Sequence, residues 1–345
     1  MGTPQAGVIV ADDSEPEKLR TIGERKAIDL ITSILTPGDD EVAVGPGDDC
    51  AALKVGEDYI LITTDMAAQK THFPPNITPY QIGWHIVAIN LSDLAAKGAR
   101  PLGLVIAAGV PESYDVKFLE NMFEGMNSCA TAYNTFIIGG DIKAHDQLTL
   151  TGTAIGRVAQ NEFMSRKGAK RGDIVGITGQ LGHAGSGYYT LKNKLVPKGR
   201  EAFVGLFEPK PKMAEGIALA KSGTVTSCMD ISDGLAHSLF QLAKLNNVGF
   251  EILFDDIPIA PEAIEIAEKL SIPIEDLTIY FGGDYELLVT VQNYLWAEAR
   301  EAVRAAGANL TQIGIVTDKP ELSLIKEGGK DPLENRGYEH FFWQG

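Results

Sequence analysis

Aspartate recurs wherever this chain could do chemistry. Gly45 to Cys50 reads Gly-Pro-Gly-Asp-Asp-Cys, which sets Asp48 and Asp49 side by side on a constrained turn. Two adjacent like charges are tolerated if solvated, or if a cation sits between them. A lone Asp-Asp pair is ordinarily a solvated turn. Here the pattern repeats, at Thr63-Thr64-Asp65, Leu91-Ser92-Asp93, Gly139-Gly140-Asp141 and Asp230-Ile231-Ser232-Asp233. Each follows or interrupts an apolar run. Many carboxylates at the ends of core elements point to hard divalent cations, Mg²⁺ above all, held by oxygen ligands and a polyphosphate.

The flanking patterns predict the elements that position these groups. Apolar residues from Ile22 to Leu35 recur at helical spacing. Strands follow near Val42, near Ala52 and over Tyr59–Thr63, the last ending at Thr63-Thr64-Asp65. Thr78, Pro79 and Gln81 form a capping box with proline at the first helical position, and Gly98 stops that helix. Ile82, Ile86, Ile89 and Asp93 fall on one stripe of it. Asp93 there is either metal-bound or bonded to a nearby backbone amide. A strand over Pro101–Val110, a helix over Ser113–Tyr133, a buried strand from Thr135 to Gly140 and a strand over Leu148–Val158 complete a first domain, residues 21–158.

The second domain, 159–345, alternates strands and helices. Gly179, Gly182, Gly185 and Gly187 make a loose loop that is neither a Walker A nor a Rossmann fingerprint. Residues 190–205 read as a surface excursion. Ser232 or Asp233 can cap the helix carrying Leu235, Leu239 and Leu242, and such a helix start also favours phosphate. Capping does not account for Asp230. Gly282-Gly283-Asp284 turns into a strand, and an aromatic cluster around Tyr338 closes the sequence.

At 345 residues the chain has room for two cores, and its apolar content of 44% is that of an ordinary α/β protein. A net charge of −16 argues against a sequence-independent nucleic-acid binder and against an anionic membrane surface. The three cysteines lack zinc or redox spacing and read as reduced thiols of a cytoplasmic protein. Residues 1–20 are polar and acidic, an expected flexible arm rather than a signal peptide. No apolar run approaches a membrane span.

These motifs, in this order, resemble the thiamine-monophosphate kinase family of the aminoimidazole-ribonucleotide synthetase-like superfamily. The resemblance runs from Ile22-Gly23-Glu24 to Gly337-Tyr338-Glu339-His340-Phe341. It implies an α/β (α+β) two-domain fold, with an N-terminal mixed sheet with helices and a C-terminal α/β sandwich, dimerising through first-domain strands. It implies ATP-dependent conversion of thiamine monophosphate to thiamine diphosphate, with several Mg²⁺ ions. By resemblance, Asp49, Thr63, Thr64, Asp65, Asp93, Asp141, Asp230 and Asp233 are the metal shell. Gly140, Asp141, Arg166 and Ser232 meet ATP, and His72, Asp284 and Tyr338 meet the acceptor. Asp65, Asp93, Asp141 and Arg166 are the expected catalytic groups.

The sequence departs from the family pattern twice. Gly282-Gly283-Asp284-Tyr285-Glu286-Leu287 is one residue shorter than the common Gly-Gly-Glu-Asp-Tyr-Glu-Leu, which puts Asp284 in the place of the glutamate. Ile142-Lys143-Ala144 replaces a Thr-Thr-Arg, leaving Lys143 as the local positive charge. A reactive N-terminal cysteine, expected of a selenophosphate synthetase, and a C-terminal cysteine, expected of a hydrogenase-maturation relative, are both missing from the sequence. The reading from another class is a protein that binds Mg·nucleotide without turnover. An ADP-release assay separates it from a kinase.

Overall fold

The computed structural model describes residues 18–36, 38–74, 76–195 and 201–338. The chain divides into two units, residues 1–36 with 339–345, and residues 37–338. The described part of the first unit is α1 (Leu19–Ile34), interrupted at Gly23 with φ 75°, and Ile28, Ile31 and Ile34 on it are exposed. Most of the expected arm, and the expected aromatic cluster beyond Tyr338, lie outside the described residues.

The second unit opens with the strands β1 (Val42–Val44), β2 (Ala51–Val55) and β3 (Asp58–Ala68). Then come α2 (Gln69–His72), α3 (Pro79–Ala96), β4 (Arg100–Val110), α4 (Val116–Ala132), β5 (Ile137–Ala144) and β6 (Thr149–Ala159). These strands form one sheet in the order β1-β2-β3-β6-β4-β5, antiparallel except between β4 and β5. The rest of the unit is β7 (Ile174–Thr178), α5 (His183–Lys192), α6 (Glu201–Phe207), α7 (Met213–Ser222), β8 (Val225–Asp230), α8 (Leu235–Asn246), β9 (Gly249–Leu253), α9 (Pro261–Leu270), α10 (Glu275–Thr278), β10 (Leu287–Val291), α11 (Trp296–Ala305), β11 (Leu310–Thr317), β12 (Leu322–Lys326) and β13 (Gly329–Pro332). Its sheet runs β13-β12-β9-β11-β7-β10-β8, and only β12 and β9 pair in parallel. Two mixed sheets with helices are the expected fold class.

Helix α3 joins the two halves. Its capping box forms as the sequence predicts: Thr78 Oγ1 accepts from Gln81 N, and Gln81 Oε1 accepts from Thr78 N. The helix is buried on nearly every side, not along one stripe. The reason is that its neighbours come from both halves: β3, β6 and α4 from the first, α7 and β8 from the second. Glycine permits the close approaches. A Cβ on Gly83 would lie 1.8 Å from the Met122 carbonyl oxygen, and one on Gly216 would lie 2.0 Å from that of Ala95. One apolar core accordingly contains Ile86, Leu91 and Leu94 together with Cys228, Leu287 and Val303.

Three local expectations are corrected. β3 does not end at Thr63; it runs on to Ala68 because β6 pairs with it continuously, from Asp58↔Ala159 to Ala68↔Thr149. β5 is not buried. It is the edge strand beyond β4, and its Ile138 is 58% exposed. Neither Ser232 nor Asp233 caps α8, which starts after Gly234 without a side-chain cap. The carbonyls of Ser232 and Asp233 instead accept from Gly283 N and Tyr338 N, which fixes the turn ahead of the helix.

Candidate active site

The turn between β1 and β2 presents Asp48 and Asp49, and neither is solvated. Asp48 Oδ2 accepts from Ser165 Oγ and Arg166 N, both at 3.0 Å, and its Oδ1 accepts from Asp49 N. Asp49 Oδ1 takes the guanidinium of Arg166, through Nε at 2.7 Å and through its terminal nitrogen. Lys97, the residue after α3, reaches Asp48 Oδ1 and Asp49 Oδ2, both at 2.6 Å. Burial works against ionised Asp48, but the adjacent Lys97 ammonium prevails and its pKa falls below the ordinary value.

A second set of carboxylates gathers around Asp49. The side chains of Thr63 and Asp65 share one face of β3, since residues two apart on a strand do so. Thr63 Oγ1 donates to Asp93 Oδ2 at 2.5 Å. Asp65 N donates to Asn90 Oδ1, one turn of α3 before Asp93. Ser92 Oγ donates to Asp230 Oδ2 at 2.6 Å, tying α3 to the end of β8. Carboxylate oxygens of Asp49, Asp93 and Asp230 lie within 4.8 Å of one another.

The electrostatics of this set are opposite to those of Asp48. Burial, then Asp49, pushes Asp230 up to about 7 and Asp65 up to about 6. Burial and the charges of Asp65, Asp230 and Asp49 drive Asp93 well above the carboxylate range. The side-chain partners that meet Asp93 and Asp230 are hydroxyls, not cations. Buried carboxylates this close, short of positive charge and offering hard oxygens, suit Mg²⁺. The site therefore fits the divalent cation that its residue types called for.

The structure brings together Asp49, Thr63, Asp65, Asp93, Arg166 and Asp230 from the sequence-predicted set. The remaining expected residues have surroundings of their own. Thr64 faces the opposite side of β3, where its hydroxyl donates to Gly152 O and meets Thr153. Asp141 lies on exposed β5, with Lys143 Nζ 3.6 Å away. Gly140, next to it, is crowded: a Cβ would lie 2.0 Å from Ile106 O. Asp233 stands 3.6 Å from His237 Nε2. Ser232 is half-buried on the same turn. His72 ends α2 and meets Thr71 Oγ1 and Ala68 N through Nδ1. Tyr338 is half-buried, held by its amide to Asp233.

Asp284 is bonded to backbone amides. Its Oδ2 accepts from Gly182 N at 2.7 Å and its Oδ1 from Ala184 N at 2.9 Å. It caps the start of α5 from a distance in sequence, each oxygen accepting one backbone N–H.

The chain is similar to known proteins over most of its length. The model of the AIR synthase related protein N-terminal domain matches residues 47–158, and that of the C-terminal domain matches 170–327. Thiamine-monophosphate kinase of Methanospirillum hungatei is 35% identical over 85% of this chain and 92% of its own length. The Bacillus subtilis enzyme of the same name is 31% identical over 91% and 98%. The chain belongs to the thiamine-monophosphate kinase family. The solved structure of AaThiL complexed with AMPPCP and TMP is 26% identical and superposes with a TM-score of 0.82, covering 95% of this chain and 100% of that one.

Two functional positions in this family member escaped sequence reasoning. Lys97 follows the apolar run Leu94-Ala95-Ala96, so it reads as a solvated helix end, yet it is 0% exposed. A lysine directly before the helix-stopping Gly98, inside a segment this apolar, was the available signal. Ser92 reads as a spacer in its motif; only the approach of β8 reveals its bond to Asp230.

Proposed function

We propose that the carboxylates gathered between the two halves are where this kinase phosphorylates thiamine monophosphate with ATP, giving thiamine diphosphate. The observation that carries the assignment is the meeting of Asp49, Asp93 and Asp230, drawn from the β1–β2 turn, α3 and the end of β8. Asp49, Asp93 and Asp230, with Asp65 beside them, would hold the Mg²⁺ ions. Bound Mg²⁺ supplies the charge neutralisation that lets two phosphate groups approach. Residues 21–158 carry most of these ligands and residues 159–345 complete the site.

The chain's own part is positioning. Arg166, held on Asp49 and with its Nη1 donating to Gln241 Oε1 at 2.9 Å, keeps a guanidinium fixed at the cluster's edge. Thr63 and Ser92 orient the carboxylates of Asp93 and Asp230. The acceptor phosphate is an anion at neutral pH and needs no strong general base. Transfer is direct and in line, with no phospho-enzyme. His72 and Tyr338 contact the acceptor, and Gly140, Asp141, Ser232 and Asp233 contact ATP or its metals.

The same reading makes the protein a cytoplasmic homodimer. The outer face of the first sheet and its edge strand leave Ile62, Met66, Ile138 and Ile142 exposed, a surface that a second copy would cover. Among the described residues no helix is long and apolar enough to cross a membrane. Light scattering that returns a monomer mass would remove the dimer from the account. The kinase assignment is tested by ADP release with thiamine monophosphate, thiamine and an aminoimidazole precursor side by side. Only the monophosphate should support turnover; efficient use of either other compound contradicts it.

A further inference from the structure

Lys97 lies at the junction of everything described so far and is itself neither a ligand nor exposed. Its ammonium donates to the Cys228 carbonyl at 2.8 Å and forms ion pairs with Asp48 Oδ1 and Asp49 Oδ2, both at 2.6 Å. Asp48 and Asp49 belong to the β1–β2 turn and Cys228 to β8. Lys97 is also the C-cap residue of α3, the helix end whose dipole favours a cation. With Arg166 on Asp49 Oδ1 and Lys97 on Asp49 Oδ2, both oxygens of that carboxylate are held by protein cations. The same Asp49 still reaches within 4.8 Å of Asp93 and Asp230. A divalent cation at this cluster would share Asp49 with Lys97.

We propose that Lys97 is a built-in cation that holds the Asp48–Asp49 turn against β8 and holds down the affinity of the carboxylate cluster for divalent metal. This rests on the reading that Asp49, Asp93 and Asp230 take Mg²⁺. Lys97 is a positioning residue, acting through Asp49. With it in place the turn is organised before any metal arrives. The cluster then binds metal weakly alone, so that metal enters and leaves with the phosphates. Without it, one unit of positive charge is lost beside the cluster, and a divalent cation gains more from the crowded carboxylates.

The test is Lys97→Met, which keeps an unbranched stem and removes the charge. Calorimetric titration of nucleotide-free protein with Mn²⁺ should show affinity raised about tenfold or more over the native protein. The melting temperature in EDTA should fall, and Mg²⁺ should restore far more of it than Mg²⁺ adds to the native protein. The double variant Lys97→Met/Asp48→Asn removes one charge of each sign. It should recover stability in EDTA and return Mn²⁺ affinity towards native, and it carries the test if the single variant does not fold. Unchanged Mn²⁺ affinity in Lys97→Met overturns the inference. So does a stability loss that neither Mg²⁺ nor Asp48→Asn repairs, or failure of both variants to fold, since a packing role would produce either. If native and variant proteins alike bind no Mn²⁺, the metal assignment itself falls, and the inference falls with it.

Discussion

Asp93 and Asp141 each end one of the aspartate motifs, Leu91-Ser92-Asp93 and Gly139-Gly140-Asp141, and the structure treats them in opposite ways. Asp93 is half-buried at the seam of two halves, its proton affinity raised by desolvation and by three neighbouring carboxylates. Asp141 stands on an exposed edge strand with Lys143 Nζ 3.6 Å away. The second half of the chain packs β8 and α7 against α3, whereas β5 meets β4 and α4, both of the first half. A carboxylate motif becomes a metal site only where tertiary packing removes water and brings further carboxylates.

The sharpest way to break this contrast is to neutralise each group separately. Asp93→Asn should lower kcat by orders of magnitude, because charge neutralisation between phosphates is most of the catalysis. Asp141→Asn should cost about tenfold or less if its part is confined to one contact of ATP or its metal. Steady-state ADP release with saturating and limiting Mg²⁺ measures both. Equal losses would erase the distinction between buried and exposed carboxylates.

The contrast extends to pH. Asp65 and Asp230, at about 6 and about 7, lie above their ordinary 3.8. The metal-free native state therefore retains protons that the unfolded chain has already released. Its stability falls as pH rises from that ordinary value to about 7. Mg²⁺ should raise the melting temperature more at about pH 8 than at about pH 5, since protons compete for the same oxygens at the lower pH. A Mg²⁺ effect independent of pH would contradict the shifted carboxylates.

Two adjacent threonines sharpen the comparison on a smaller scale. Thr63 and Thr64 differ only in the face of β3 they occupy. Thr63→Val removes the bond that orients Asp93 and should lower kcat about tenfold, in line with loss of one hydrogen bond to a charged group. Thr64→Val removes a bond to Gly152 O on the other face and should change kcat by less than about threefold. Reversal of this order in the same assay would show that the Thr64 side chain, not that of Thr63, serves the cluster.

Local signals carried much of this architecture. The capping box of Thr78 and Gln81, and the helix-ending Gly98, act within a few residues and are readable without tertiary knowledge. So are β7 and α9, which fall where their apolar patterns and flanking turns put them. The repetition of the aspartate motifs suggested divalent cations before any geometry was known, and the fold draws Asp49, Asp93 and Asp230 together. What was not legible depends on distant partners. β3 is longer than its apolar run because β6 extends the pairing. Asp284 reads as a substrate ligand in its motif, and its bonds to Gly182 N and Ala184 N, which hold the start of α5, cannot be read locally. Lys97 looks solvated until the Asp48–Asp49 turn and Cys228 close over it.

The central claim is that the Asp49–Asp93–Asp230 cluster brings divalent metal to the phosphate of thiamine monophosphate while ATP is bound. Phosphorus NMR tests it directly. Thiamine monophosphate is mixed with protein, the non-hydrolysable AMPPCP and a trace of Mn²⁺, and the line width of its phosphorus signal is compared with that in the protein-free mixture. Broadening well beyond the protein-free mixture, abolished by Asp93→Asn, is the predicted result. A line no broader than without protein, or equal broadening in the Asp93→Asn variant, would contradict the account.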